Sequence, residues 1–160
     1  MYIKISKEVE KQYRKEVEQI INNKDFQKLR YYKQHNWSDR LMHSINVSYL
    51  SWLMARRLGC DAKAAARAGL YDFHEKTVDG EHQAFLHPKV AAENSMEHFD
   101  ISEKERDAIL SHMFPLGPLP KSREAWLITI ADKICAAAEL CSIAIALARR
   151  GKVSFVQAPA

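Results

Sequence analysis

Asp132 stands in the middle of Ile128-Thr129-Ile130-Ala131-Asp132-Lys133-Ile134-Cys135-Ala136-Ala137-Ala138, a run otherwise almost wholly apolar and helical in character. A carboxylate placed there loses water when the helix packs, which is costly unless a cation or hydrogen-bond donors meet it. Three histidines upstream, His43, His87 and His112, each on an expected helix or at its start, are the groups best suited to meet it. Imidazole and carboxylate together suit a divalent metal, and an ion held that way removes the burial penalty on Asp132 and lowers the pKa of bound water. Each signal alone is weak, since a lone buried histidine is more often a satisfied core residue; the ordered set is the stronger case.

Those side chains need elements to hold them. Val9, Tyr13, Val17, Ile20 and Ile21 recur with helical spacing and a polar opposite face over residues 6–22, and Asn22-Asn23-Lys24-Asp25 breaks the pattern. A short helical piece over 25–32 follows. Ser38 or Asp39 can cap a helix that stops at Gly59 and is apolar on most sides, which puts it, with His43, at the centre of the fold. Asp61 can cap a helix over 62–70. Residues 71–86, with Asp72, His74, Lys76 and His82, read as irregular. Pro88 fits the first turn of a helix reaching Phe99, with His87 just ahead of it. Ser102 and Glu105 have capping-box spacing for a helix to Met113, and Pro115, Pro118 and Pro120 end it shortly after His112. Ser122 can cap a last helix running to Arg150, with a core stripe of Trp126, Ile130, Ile134, Ala137, Cys141 and Ile145. No strand pair, internal repeat or glycine-rich phosphate loop stands out.

The expected fold is all-α: one compact bundle of about six helices in a single domain, a size that suits one hydrophobic core. Its core spans 38–140, the N-terminal helices over 6–32 pack on it, and the tail 151–160 is partly ordered at best. Apolar residues make up 47% and charged residues 28%, which excludes a disordered chain. No apolar run reaches the roughly 18 residues of a membrane span, and the N-terminus lacks a signal-peptide core, so no membrane contact and a cytoplasmic location are expected. Cys60, Cys135 and Cys141 form neither a disulfide framework nor a paired zinc motif. The net charge of +4 sits in the first forty residues, where ten Lys and Arg face six Asp and Glu. Because acids are interleaved there, a solvated helix face is the plainer reading, and no specific nucleic-acid binding is expected.

The order His43-Ser44, Asp72, His87-Pro88, His112-Met113 and Ala131-Asp132-Lys133 resembles the HD-domain superfamily of metal-dependent phosphohydrolases. Local phrases carry the likeness over 38–140: Arg40-Leu41-Met42-His43-Ser44, Ala65-Ala66-Arg67-Ala68-Gly69-Leu70, and Ala131-Asp132-Lys133. The resemblance implies metal ligation by His43, Asp72, His87, His112 and Asp132, with Asp72 and Lys133 in catalytic roles. It implies one or two divalent ions (Fe, Mn, Co, Ni or Zn) and hydrolysis of a small phosphorylated substrate, a nucleotide among the candidates. A homodimer stays open. Lys133 could equally reach solvent or pair with a carboxylate, and Lys76 and Lys89 flank the expected cleft.

The chain departs from the family at one place. Where a His-Asp dyad belongs, it has Tyr71-Asp72-Phe73-His74. Either Tyr71 replaces the dyad histidine and Asp72 is the dyad aspartate, or these residues follow a dyad that is missing. A missing dyad would leave a domain that binds a nucleotide or partner without catalysis, and this is the alternative function.

Overall fold

The computed structural model describes residues 7–35, 38–71 and 83–140. Asp72, His74, Lys76, His82, Cys141, Ile145 and the tail 151–160 lie outside the described residues. Within them the chain is all-α apart from one short strand pair. In order come α1 (Lys7–Ile21), α2 (Lys24–Gln27), a 3-10 turn (Lys28–Tyr31), β1 (Lys33–His35), β2 (Ser38–Asp39), α3 (Arg40–Leu58), α4 (Ala62–Leu70), α5 (Gln83–His98), α6 (Glu103–Ser111) and α7 (Arg123–Leu140). No helix among them is long and apolar enough to cross a membrane.

Local signals set most of these boundaries. The Asp39 carboxylate accepts the Met42 N–H at 2.8 Å to open α3, and Gly59 closes it in the left-handed region at φ +63°. Asp61 then accepts the Ala64 N–H at 2.9 Å and opens α4. Ser102 and Glu105 form the reciprocal capping box of α6. Ser122 accepts the Ala125 N–H at 3.1 Å in the first turn of α7.

The central helix is α3, which packs most heavily on α4 and α7. From α1, Tyr13, Val17, Ile20 and Ile21 enter the same core as Leu41, Ile45 and Trp52 of α3, Leu70 of α4 and Ile128 of α7. Ser48 ties three helices together. Its hydroxyl donates to the Ala66 carbonyl at 2.6 Å, so the Tyr13 hydroxyl, 2.7 Å away, donates to Ser48.

Three sequence expectations need correction. First, α5 begins at Gln83, so Pro88 and His87 lie inside the helix and not at its first turn. The preceding residues, read as irregular, already contribute a helical turn. Second, β1 and β2 form an antiparallel pair with Lys33 opposite Asp39 and His35 opposite Ser38. Each strand is too short to show an alternating pattern. Third, the expected core stripe of α7 faces outward: Trp126, Ile130 and Ile134 are 40%, 44% and 48% exposed, and Ala137 is exposed as well. The buried face carries Ala125, Ile128, Ala131, Cys135 and Glu139. A helix apolar on both faces gives periodicity nothing with which to choose between them.

Candidate functional site

His43, the fourth residue of α3, is buried; its ring reaches two carboxylates of α7. Nε2 is 3.1 Å from Asp132 Oδ1, and Nδ1 is 3.1 Å from both oxygens of Glu139. The Ser38 hydroxyl, on β2, donates to Glu139 Oε2 at 2.8 Å. Burial pulls the His43 imidazolium down, but hydrogen bonds and charge from Asp132 and Glu139 outweigh it and lift its pKa from 6.5 to about 10. Burial likewise pushes the Asp132 carboxyl up. The His43 hydrogen bond and the charges of His112, His43 and Lys133 reverse that and bring it from 3.8 to about 2.

A second pair lies beside the first. His87 of α5 and His112, the residue after α6, bring their Nε2 atoms to 2.8 Å with the rings edge to face. His112 Nδ1 is 2.7 Å from the Ile109 carbonyl, which can only accept, so Nδ1 carries the proton. The other ring nitrogen, Nε2, is the one that faces His87. Lys133 links the pairs, since its ammonium donates to the His112 carbonyl and to Asp132 Oδ2, each at 3.0 Å.

His43, His112 and Asp132 also line a cavity of about 20 Å³, together with Ser44, Gly69 and Tyr71. That volume holds one water-sized particle. The Ser44 hydroxyl is buried on this wall and has no hydrogen-bond partner among the described residues. The atoms offered to a cation are thus His43 Nε2, the Asp132 carboxylate and the Nε2 atoms of His87 and His112.

The structure therefore gathers four of the expected ligands as two pairs. Among the described residues no three His, Cys, Asp or Glu side chains form a metal-holding group. The fifth expected ligand, Asp72, lies outside the described residues. Tyr71 closes α4, its N–H bonding the Ala68 carbonyl, and is fully buried on the cavity wall.

Comparison with known proteins gives a partial likeness. The chain is 39% identical over 97 residues to Ribonuclease Y of Thermoanaerobacter pseudethanolicus, covering 61% of this chain and 18% of that protein. It is 39% identical over 98 residues to Ribonuclease Y of Alkaliphilus metalliredigens, 61% of this chain and 20% of that one. Against Ribonuclease Y of Desulforamulus reducens it is 40% identical over 98 residues, 61% and 18%. The chain thus spans about a fifth of the length of the curated relatives it matches. No family model matches the chain. No solved structure matches it either.

Sequence reasoning missed Glu139, although the signal that marked Asp132 was repeated there. Glu139 follows Asp132 by seven residues, about two helical turns, and is flanked by Ala136, Ala137, Ala138 and Leu140. It is a second carboxylate on the same buried face, and it is fully buried. Of the two candidate caps of α3, Ser38 and Asp39, Asp39 takes that task, and the Ser38 hydroxyl holds Glu139.

Proposed function

We propose that the chain is a metal-dependent phosphohydrolase whose substrate is a phosphate ester of a nucleotide or a phosphodiester of RNA. The observation that carries this reading is the imidazole of His43 set between two carboxylates. One ring proton serves Glu139 on Nδ1, so Nε2 meets Asp132 favourably only with a second proton or a cation. The His87 and His112 pair supports the same reading. It places two further imidazole nitrogens, 2.8 Å apart, beside the first pair.

His43, Asp132, His87 and His112 would hold the ion, with Asp72 as the further ligand implied by the HD-domain resemblance. Fe, Mn, Co, Ni and Zn all suit such a mixed shell. An ion bound there supplies Lewis acidity at a phosphoryl oxygen. The side chains do the rest. Asp132 stays ionised through the neutral range because its pKa is held near 2. Lys133, about half exposed, offers a point charge to a phosphate oxygen at the rim. The Ser44 hydroxyl, without a partner among the described residues, can orient a water in the cavity. The likeness to proteins named Ribonuclease Y supports a phosphodiester substrate, since a ribonuclease breaks that bond in RNA.

One observation favours a second reading, a domain that binds a nucleotide without cleaving it: the absence of a three-ligand group among the described residues. A single experiment separates the two. Purified protein is assayed for metal content and then tested with bis(p-nitrophenyl) phosphate, a nucleotide panel and a short single-stranded RNA in Mn²⁺ or Co²⁺. The hydrolase reading expects turnover that Asp132→Ala abolishes while helical circular dichroism is retained. Bound nucleotide without turnover selects the second reading, and neither metal nor turnover defeats the first.

A further inference from the structure

We infer that Glu139, held by Ser38, is the positioning residue that fixes the ring orientation and tautomer of His43 for a divalent ion; this rests on the metal reading above. The two carboxylates around His43 are not equivalent. Asp132 lines the cavity, keeps part of its surface open and touches Lys133. Glu139 is fully buried, is not part of the cavity wall, and lies on the far side of the ring. A carboxylate only accepts, so Glu139 commits Nδ1 to its proton; Nε2 faces Asp132 on the cavity side, and its proton is the one an ion would replace. Both Glu139 oxygens are equidistant from Nδ1 at 3.1 Å, and the ring is gripped rather than touched at one point.

Ser38 supplies the next link. Its hydroxyl bonds Glu139 Oε2, and the serine itself is buried at the end of the β1–β2 pair, one residue before the cap of α3. The strand pair, the start of α3 and the far end of α7 therefore meet at this carboxylate. Partners of this kind behind a ligating histidine typically change metal affinity 10- to 100-fold when removed.

The test uses the full chain, stripped with chelator and titrated with Mn²⁺ by calorimetry, alongside ¹⁵N NMR of the histidine rings in the metal-free protein. Wild type is expected to bind Mn²⁺, and Glu139→Gln to bind it roughly 10- to 100-fold more weakly with its helical content retained. Ser38→Ala is expected to weaken binding several-fold and to shift the His43 Nδ1 resonance. Equal affinity in wild type and Glu139→Gln overturns the positioning role and leaves the metal reading standing. A wild type that binds no Mn²⁺ overturns both. Should Glu139→Gln fail to fold, Ser38→Ala decides: unchanged affinity with an unchanged Nδ1 resonance overturns the role.

Discussion

Gly69 of α4 lies against the backbone of Ser48 on α3: a Cβ at Gly69 would sit 2.6 Å from Ser48 Cα and 2.9 Å from its nitrogen. The obstacle is backbone, so no side-chain rotation relieves it. The two helices meet here because glycine lets them, and the same glycine borders the cavity beside His43. Gly69→Ala is expected to destabilise the protein by about 1–3 kcal/mol, the usual range for overpacking a closed core. Urea unfolding measures it, and a variant as stable as wild type would mean that α3 and α4 separate more easily than this contact allows.

The two faces of α7 make a sharper contrast. Ile128 is 3% exposed and Ile130, the same residue type two positions on, is 44% exposed. Ile128→Ala is expected to cost about 2–5 kcal/mol, as buried isoleucine truncations do, and Ile130→Ala well under half of that. Equal losses at the two positions would show that the outer stripe of Trp126, Ile130 and Ile134 is covered in solution.

That contrast marks what could be read from the residues alone. Helix existence was legible, because caps such as Asp39, Asp61 and Ser102 announce themselves locally. The face of α7 was not, because an apolar helix carries no moment to orient it. At the site, Asp132 and His43 were legible as a carboxylate and an imidazole in apolar surroundings, and they are in contact. Glu139 carried the same signal and went unread beside Asp132. The role of Ser38 depends on a contact across 101 residues, which no local pattern encodes.

Acid sensitivity should trace in part to Glu124. Burial pushes its carboxyl up, but the Asp61 N–H at 2.8 Å, its own backbone N–H and nearby Lys104 outweigh burial and hold it below its usual 4.5. The unfolded chain then binds the proton more readily than the folded one. The stability from this contact is full above 4.5 and drains as pH falls through the lower, folded value. Thermal unfolding from pH 6 to pH 3 is therefore expected to show a steeper fall in Tm for wild type than for Glu124→Gln. Parallel curves would remove Glu124 from the acid response.

Lys133 offers the most direct test of how the site treats a substrate. Its ammonium already has two acceptors, the His112 carbonyl and Asp132 Oδ2, yet 45% of the side chain remains exposed. A lysine that only braced the two histidine pairs would be replaceable at a cost in stability alone. A lysine that also meets phosphate should show its loss in catalysis. Lys133→Met is expected to lower kcat/KM for a phosphodiester by about 10- to 100-fold, the worth of one charged hydrogen bond. Lys133→Arg should recover only part of this, because a planar fork does not reproduce a point donor at the Asp132 oxygen. Steady-state kinetics in saturating Mn²⁺, with urea unfolding of the same samples, separates the two roles: a drop in stability with unchanged kcat/KM would leave Lys133 a brace and nothing more.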